Sequence, residues 1–283
     1  MKIGISGASG KLGKATVEAL KTRAPEATIV GISRTPEKLE AQGVEGRFGD
    51  FDQPDSLAKA FSGLDRLLLI PSSDMRAGAR AVQGSTAIAQ AAAAGVAHVV
   101  LTSALGTRDA EIPHLWQSYF VPEQALIRTA KNWTILRMAY YAESFAEEAQ
   151  MSLARGAHAS VSPAGVNFVS RDDVAAAAAA ILASSGHRGA IYQATGPESF
   201  DGPARAALVA KVTGKPFGFA QVPTEQYRAG LEAMGLPELV IDAVMSIQDM
   251  WQRRGFDITS GDIEHLTGHR PRSLEDVLRA VLK

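Results

Sequence analysis

Four glycines spaced three residues apart open this chain and constrain its fold more than any other feature. They are Gly4, Gly7, Gly10 and Gly13, in the stretch MKIGISGASGKLGKATVEAL. Glycine weakens the interior of helices and strands, so a cluster this dense indicates a turn with special backbone needs. The apolar segment KIGIS precedes the turn, and a helical pattern begins at Lys11. The stretch therefore predicts a strand, a glycine turn and a helix.

Short apolar segments and helical patterns continue to alternate up to about Arg137. The apolar segments are KIGIS, TIVGIS, GVEGRF, RLLLIP, HVVLTS and WTILR, and the helical patterns cover 11–23, 36–42, 54–61, 75–95 and 122–131. This order is typical of repeated β–α units, which form a parallel sheet. RLLLIP and HVVLTS are apolar at consecutive positions, as strands covered on both faces are. The sequence therefore predicts an α/β fold built on a parallel sheet.

The glycine turn has the properties of a nucleotide-binding loop. Unpaired N–H groups and the positive end of the following helix favour a pyrophosphate, and glycines let the backbone approach it. The spacing is G-x-x-G-x-x-G rather than G-x-G-x-x-G, and a glycine turn without a ligand is the alternative. The flanking strand and helix and the later β–α units favour a dinucleotide. The predicted contacts are Gly7, Ser9, Gly10, Lys11, Leu12 and Gly13.

The end of the second predicted strand indicates which dinucleotide binds. The segment GISRTPEK places Ser33 and Arg34 where an NAD site usually carries Asp or Glu. A carboxylate would repel a 2′-phosphate, whereas a guanidinium binds it with two hydrogen bonds. We therefore expect NADP, with NADPH preferred over NADH, Arg34 as the main discriminator and Lys38 as a weaker contact. The alternative for Arg34 is a solvated loop charge.

Three later strand ends are expected to line the rest of the cofactor groove, because ligands of such sheets bind at the carboxyl ends of the strands. The serines among them have an alternative role in ordinary turn chemistry. The predicted contacts are Asp50 and Phe51 beside the adenine, Pro71, Ser72 and Ser73 near the adenosine ribose and phosphates, and Thr102, Ser103 and Ala104 near the nicotinamide.

Beyond Arg137 the pattern becomes less regular. Two helical segments, YYAESFAEEAQMSLARG and SRDDVAAAAAAILASS, precede the apolar segment GAIYQAT, and Ser170 is the expected N-cap of the second helix. From about Gly196 the tail mixes helices with short extended pieces. We predict a dinucleotide-binding domain over 1–150, completed by parts of 165–195, and a smaller substrate-binding domain over 151–283.

Composition excludes several classes of protein. The chain has 29 Lys and Arg against 30 Asp and Glu, so no basic excess suggests nucleic acid, and no basic amphipathic stretch suggests a membrane surface. It has no cysteine, which excludes disulfides and thiol catalysis. Its six histidines lack metal-ligand spacing, so no metal site is predicted. Because the N-terminal segment lacks the apolar core of a signal peptide, we expect a cytoplasmic protein.

Seven segments, taken together, resemble the NmrA-like, atypical branch of the short-chain dehydrogenase/reductase superfamily. They are GISGASGKLG, SRTPEK, GDFDQP, LTSALG, PEQAL, LRMAYYAESF and SRDDVA, and the resemblance extends over nearly the whole chain. Within that branch, the chain is most similar to type 2 NADPH-dependent quinone oxidoreductases and to triphenylmethane dye reductases. The resemblance implies a Rossmann-type doubly wound sheet, a smaller α/β C-terminal domain, a substrate cleft between them, and a monomer or homodimer.

The resemblance also exposes a departure. Many members of the superfamily use a Tyr-x-x-x-Lys motif, whereas the corresponding stretch YFVPE has Tyr119 followed by Glu123. A nearby carboxylate disfavours a tyrosinate, so Tyr119 is a poor general base. As a neutral phenol it is the candidate catalytic residue, donating a hydrogen bond to a substrate oxygen. The alternative is an aromatic wall residue with no proton role.

The segment RMAYYAESF follows the last regular strand and offers an aromatic slot for a substrate. The predicted substrate contacts are Arg137, Met138, Ala139, Tyr140 and Tyr141, with Phe145 behind them, His114 and Trp116 above them, and Arg171 facing the cleft. Arg171 opens a helix, which is an unfavourable place for a cation and hints at a function. The alternatives are aromatic side chains that only pack the two domains together and an Arg171 that points into solvent.

These features favour an NADPH-dependent oxidoreductase that transfers hydride to a quinone or a similar conjugated aromatic. Hydride addition to such a ring needs alignment and exclusion of water more than a catalytic base. A second hypothesis is a regulatory sensor that binds the dinucleotide and a protein partner without turnover. An isomerase or epimerase acting on a nucleotide sugar is a weaker one, because that chemistry normally needs the intact Tyr/Lys pair.

Overall fold

A computed structural model describes residues 1–40, 43–111 and 114–282. The strands are β1 (Lys2–Ser6), β2 (Thr28–Ser33), β3 (Glu45–Phe48), β4 (Arg66–Leu69), β5 (His98–Ala104), β6 (Trp133–Met138), β7 (Tyr140–Tyr141), β8 (Ala157–Ser160), β9 (Val166–Val169), β10 (Ala190–Ala194), β11 (Ser199–Phe200) and β12 (Gly218–Gln221). Seven of them form a parallel sheet in the order β10-β6-β5-β4-β1-β2-β3. The order reverses direction at β1, which is typical of the Rossmann-type doubly wound fold and confirms that prediction.

Helices connect the strands and cover the sheet. They are α1 (Lys11–Arg23), α2 (Glu37–Glu40), α3 (Pro54–Phe61), α4 (Ala79–Ala93), α5 (Leu115–Thr129), α6 (Ala142–Ser152), α7 (Arg171–Ala183), α8 (Gly202–Thr213), α9 (Thr224–Ala233), α10 (Glu238–Gln252), α11 (Asp262–Thr267) and α12 (Leu274–Val281), with a 3₁₀ turn at Leu153–Arg155. No helix within the described ranges is long and apolar enough to span a lipid bilayer.

Alternate residues of the central strands enter two separate hydrophobic cores, one on each face of the sheet. On β4, Leu68 belongs to the core that contains residues of α1 and α7. Its neighbours Leu67 and Leu69 belong to the core that contains residues of α3 and α4. Because successive side chains of a strand point to opposite faces, the sheet is covered on both sides, as the uninterrupted apolar runs predicted.

Most of the predicted element positions agree with the structure. KIGIS and TIVGIS coincide with β1 and β2, and the pattern over 11–23 coincides with α1. Ser170 caps α7, since its Oγ accepts a hydrogen bond from the N–H of Asp173 at 3.0 Å. The pattern over 36–42 is observed as α2, and its positions 41 and 42 lie outside the described residues. Helix α4 begins four residues after the predicted start, because Gly78 precedes it in a left-handed conformation with φ +71°.

The helix predicted to begin at Pro122 begins earlier, so that boundary was wrong. His114 is the N-cap, and its Nδ1 accepts a hydrogen bond from the N–H of Trp116 at 3.1 Å. Pro122 lies inside α5 and packs against α4 at Gly84, where an added Cβ would lie 2.7 Å from the proline Cγ. Packing between the two helices therefore overrides the preference of proline for the first turn.

The second half of the chain returns to the central sheet before it forms smaller elements. The segment GAIYQAT forms β10, which pairs with β6 as the last strand of the large sheet. Strands β11, β9 and β7 form a three-stranded sheet, and β12 pairs with β8. Because β7 follows β6 after one residue, the smaller sheet starts at the carboxyl end of the large one. The division into domains at residue 150 remains a prediction.

Candidate active site

A cavity of about 620 Å³ lies along the carboxyl ends of the parallel strands. Its lining comes from the turns after β1, β2, β3 and β4, from the end of β6, and from β7, α5 and α7. Rossmann-type folds bind ligands at this edge, where the direction of the strand order reverses. The predicted residues that line it are Gly7, Ser9, Gly10, Lys11, Leu12, Gly13, Arg34, Asp50, Phe51, Pro71, Ser72, Ser73, Tyr119, Met138, Tyr141 and Arg171.

The glycine turn has the geometry of a phosphate cradle. Gly7 has φ +63°, a left-handed conformation that side chains disfavour. A Cβ on Gly13 would lie 2.3 Å from the Gly7 carbonyl oxygen and 2.6 Å from the Ala8 Cα, so α1 packs directly on the turn. A Cβ on Gly10 would lie 3.2 Å from the same oxygen. Side chains are therefore excluded from the point where the backbone approaches the cavity.

The first turn of α1 suits a pyrophosphate electrostatically. Gly10 is the N-cap, no side chain caps the helix, and its first turn contains no acidic residue. Lys11, Leu12 and Gly13 line the cavity at this end. The positive end of the helix and its open N–H groups favour an anion there. The residues present therefore fit the diphosphate of a dinucleotide. The Lys11 ammonium itself is paired with Glu147 at 3.0 Å.

Arg34 lies at the mouth of the cavity next to an ordered group of hydroxyls. The Oγ atoms of Ser9 and Ser33 are 2.8 Å apart, and the Thr35 N–H donates to the Ser33 Oγ at 3.1 Å. The Arg34 side chain is exposed, and no carboxylate in the described part of the chain pairs with it. A guanidinium in this position fits a phosphate group beside the adenosine ribose. Lys38 is exposed on α2 and lies outside the cavity lining.

A network of side chains fixes the wall at the adenosine end of the cavity. The Gln83 Nε2 donates to the Asp52 Oδ1 at 2.9 Å and to the Asp74 Oδ2 at 3.0 Å. The Ser72 Oγ donates to the Gln83 Oε1, and Arg76 bridges both carboxylates. Hydrogen bonds from Arg76 hold the pKa of Asp74 well below its usual range. The network joins the turns after β3 and β4.

Sequence reasoning missed several lining residues in this wall. Asp52 lies inside the quoted segment GDFDQP, but its neighbours Asp74, Arg80 and Gln83 come from the next β–α connection. No local pattern marks Arg80 or Gln83, because only the packing of α4 against the sheet turns them toward the cavity. These residues could have been assigned to the cavity only if the order of the strands in the sheet had been known.

The predicted contacts on β5 do not reach the cavity. Thr102, Ser103 and Ala104 are buried, with exposures of 0%, 0% and 5%. β5 lies between β4 and β6, and Ala104 belongs to the hydrophobic core below the cavity edge. Their proposed role near a nicotinamide stays a prediction from the sequence.

Four predicted residues meet at the other end of the cavity. Tyr119, Met138, Tyr141 and Arg171 all line it. The Tyr141 hydroxyl donates to the Met138 Sδ at 3.0 Å, and the Arg171 guanidinium lies 5.0 Å from the centroid of the Tyr141 ring. Burial is the main cause that raises the pKa of Tyr141, so its phenol stays neutral.

Arg137 binds a carboxylate outside the cavity lining. Its Nε and Nη2 donate to the Glu123 Oε1 and Oε2 at 2.9 Å and 2.6 Å. Glu123 is only 1% exposed, and its hydrogen bonds raise the pKa of Arg137. Both members of this pair lie outside the cavity lining, so the structure does not bring Arg137 to the predicted substrate site. It also shows that the Glu123 carboxylate is balanced by a cation.

The aromatic slot is divided between the cavity and the protein core. Because neighbouring residues of a strand point to opposite faces, Tyr141 lines the cavity and Tyr140 points away from it. The Tyr140 hydroxyl donates to Glu148, and its ring meets that of Trp251 edge to face at 5.3 Å. Ala139 and Phe145 are buried as well, at 3% and 0% exposure. For Tyr140 and Phe145 the structure favours the packing alternative, and Ala139 lies outside the cavity lining.

His114 and Trp116 connect α5 to the C-terminal helices rather than lining the cavity. Their rings stack at 4.9 Å, and the His114 Nε2 lies 3.0 Å from the Asp249 Oδ2 on α10. Trp116 is 3% exposed and packs against Gly255. In residues 1–40, 43–111 and 114–282, no group of three or more potential ligand side chains is arranged to hold a metal ion.

Comparison with known proteins agrees with this geometry. A sequence family described as NAD(P)H-binding matches residues 7–185. Quinone oxidoreductase 2 of Escherichia coli (strain K12) is 31% identical over 278 residues, which cover 97% of this chain and 96% of that protein. The NAD(P)H azoreductase of Xenophilus azovorans is 25% identical over 247 residues, which cover 85% and 84%.

Solved structures show the same likeness. The E. coli NADPH-dependent quinone oxidoreductase in complex with NADPH superposes with a TM-score of 0.92 at 29% identity, over 99% of this chain and 100% of that one. The Citrobacter sp. triphenylmethane reductase in complex with NADP(H) superposes with a TM-score of 0.89 at 30% identity, over 99% of both chains. The chain therefore belongs to the NAD(P)H-binding family, and it is of the same atypical short-chain dehydrogenase/reductase type as these two reductases.

Proposed function

We propose that this protein is an NADPH-dependent oxidoreductase that reduces quinones or similar conjugated aromatic acceptors. A bound NADPH supplies a hydride, and with one proton from solvent this converts quinone and NADPH to hydroquinone and NADP⁺. The residues of the chain bind both reactants, orient them and keep water away from the point of transfer.

The continuity of the cavity carries this proposal. A single space of about 620 Å³ runs from the glycine turn and Arg34 to Tyr119, Met138 and Tyr141. Its first part fits a dinucleotide, and its second part has the apolar and aromatic lining that a flat ring requires. Both reactants then share one space, so no further group has to carry electrons between them. The names of the related quinone, azo-compound and dye reductases support the same class of acceptor.

Tyr119 is the proposed hydrogen-bond donor to the acceptor oxygen. Among the described residues, its hydroxyl has no hydrogen-bond partner, whereas the Tyr141 hydroxyl is bound to Met138. A neutral phenol stabilises the charge that develops on a quinone oxygen without acting as a base. The hydroquinone anion that results is a weak base, and solvent supplies its proton.

Preference for NADPH over NADH is part of the proposal. Arg34 is unpaired within the described part of the chain and lines the cavity at the end of β2. Charge-assisted hydrogen bonds of this kind contribute about 1.5–3 kcal/mol. A cytoplasmic location and a monomeric or homodimeric state remain predictions from the sequence and its resemblance.

The test is the consumption of NADPH with a panel of benzoquinones and naphthoquinones, followed by absorbance. We expect turnover with several of them and none without an acceptor. Tight NADPH binding, measured by calorimetry, together with no turnover for the entire panel would contradict the enzyme and favour a dinucleotide-binding sensor.

A further inference from the structure

We propose that the acceptor site selects ring systems that carry an anionic substituent, such as a sulfonate, a carboxylate or an ionised hydroxyl, and that Arg171 binds this group. The inference rests on the proposed function and deepens it, because it names the charge class of the acceptor.

The distribution of charge along the cavity is uneven. The lining carboxylates Asp50, Asp52 and Asp74 all come from the turns after β3 and β4, at the adenosine end. At the opposite end, Arg171 lines the cavity beside Tyr119, Met138 and Tyr141, and none of the three lining carboxylates comes from the elements that form this end. An acceptor bound there meets the Arg171 charge and no lining carboxylate.

The Arg171 guanidinium is oriented and available. It lies 5.0 Å from the centroid of the Tyr141 ring, a cation–π contact that fixes its direction. No carboxylate in the described segments lies within ion-pair distance of it. The contact to Glu143 is made by the backbone N–H of Arg171, which donates to the Glu143 Oε1 at 2.9 Å. The five N–H donors of the guanidinium therefore remain open to a ligand.

Glu143 is engaged by the backbone at the start of α7. Its Oε1 and Oε2 accept hydrogen bonds from the Arg171 backbone N–H at 2.9 Å and 3.2 Å. Arg171 lines the cavity, whereas Glu143 lies outside the cavity lining. Of these two charges, an acceptor in the cavity therefore meets that of Arg171 directly.

Arg171 stands at the capped start of a helix. Arg171 is the first residue of α7 and directly follows Ser170, whose side chain is buried and caps that helix. A cation at a helix N-terminus is electrostatically unfavourable, so the local helix does not account for this residue. A planar guanidinium binds a sulfonate or carboxylate with two parallel hydrogen bonds.

The experiment compares two acceptors that differ only in charge, a neutral naphthoquinone and the same ring with one sulfonate. For the wild type we expect a higher kcat/KM with the sulfonate. In Arg171→Gln the ratio of the two kcat/KM values falls about tenfold, or about 1.4 kcal/mol, mainly through KM for the sulfonate. Arg171→Lys retains part of the preference. Arg128→Gln removes an exposed cation on α5 outside the cavity and leaves the ratio unchanged.

Binding measurements separate failure of this inference from failure of the proposed function. The complex with NADP⁺ is titrated with each naphthoquinone by calorimetry, at low and at high salt. We expect tighter, salt-sensitive binding of the sulfonate in the wild type and loss of that preference in Arg171→Gln, even if no quinone is turned over. The inference is overturned if the ratio of the affinities for the sulfonate and the neutral ring is the same in wild type and Arg171→Gln. This holds provided that both proteins bind NADPH equally and melt at the same temperature. A wild type without any preference for the sulfonate overturns it as well.

Discussion

Glu123 and Arg137 form a two-point ion pair at the position where a Tyr-x-x-x-Lys motif would place its lysine. The two hydrogen bonds measure 2.9 Å and 2.6 Å, and Glu123 is 1% exposed. Glu123 lies on α5 and Arg137 on β6, so the pair ties the helix that carries Tyr119 to the central sheet. The cation of this pair comes from the neighbouring strand, and its donors are directed at the carboxylate rather than at a substrate.

Removal of one partner of this pair is expected to destabilise the fold. Glu123→Ala leaves a half-buried guanidinium without a counter-charge, and we expect a loss of about 2–4 kcal/mol in the free energy of unfolding. Denaturant titration measures it. In the double variant Glu123→Leu, Arg137→Met the loss is smaller, since no unpaired charge remains. A fully stable Glu123→Ala protein would show that the pair contributes nothing.

Gly13→Ala is expected to weaken NADPH binding about tenfold or more. The new Cβ would lie 2.3 Å from the Gly7 carbonyl oxygen, so the helix must move away from the phosphate turn. Calorimetry with NADPH measures the change. The matched control is Gly230→Ala on α9, where no atom lies within 4 Å of the added Cβ. That change should leave NADPH affinity intact and stabilise the helix by about 0.5–1 kcal/mol.

Arg34→Ala is expected to reduce the preference for NADPH over NADH about tenfold, mainly through weaker binding of NADPH. Loss of a charge-assisted contact to the extra phosphate is the physical reason. Dissociation constants of both dinucleotides, measured for wild type and variant, give the ratio. A ratio that changes less than about twofold would exclude Arg34 as the discriminator.

Tyr119→Phe is expected to lower kcat for quinone reduction about fivefold to tenfold without changing NADPH affinity. The variant loses one hydrogen bond of about 1 kcal/mol to the acceptor oxygen. Tyr141→Phe is the comparison, because its hydroxyl is bound to Met138 and should matter less. Equal kcat values for wild type and Tyr119→Phe would assign Tyr119 to the cavity wall alone.

His98 is the first residue of β5, at the edge of the sheet opposite the cavity. We expect it to make the free energy of unfolding depend on pH. Burial is the main cause that lowers the pKa of His98 from 6.5 to about 4, with Arg66 and His187 adding to it. The unfolded chain then binds more protons than the folded one between these values. The contribution of neutral His98 to the free energy of unfolding is therefore complete above about pH 6.5 and is lost as the pH falls toward 4.

Because the His98 ring is only partly buried, we expect about 1–2 kcal/mol for this pH-dependent loss. Denaturant titrations at several pH values measure it. His98→Gln should flatten the profile in this window, whereas His269→Gln, at an exposed position, should leave it unchanged. A profile for His98→Gln that matches the wild type would contradict this assignment.

The sequence was sufficient for features that depend on local chemistry. The glycine turn, the apolar strands and the Ser170 cap follow from backbone conformation, periodicity and hydrogen-bonding preference, which neighbours along the chain determine. The start of α5 was missed because Pro122 packs against Gly84, a contact between distant segments. Tyr140 and Tyr141 are adjacent and chemically alike, and only the direction of β7 decides which of them faces the cavity. Arg137 was assigned to substrate because its partner Glu123 becomes a neighbour only in the folded sheet.

The most direct test of the account is a single-turnover experiment on the complex with NADPH. The complex is mixed rapidly with a naphthoquinone, and the NADPH absorbance is followed with time. We expect one NADPH to be oxidised for each quinone reduced, with no added carrier of electrons, because both reactants lie in one cavity. Calorimetry that shows NADPH bound, together with no loss of NADPH absorbance at saturating quinone, would contradict it.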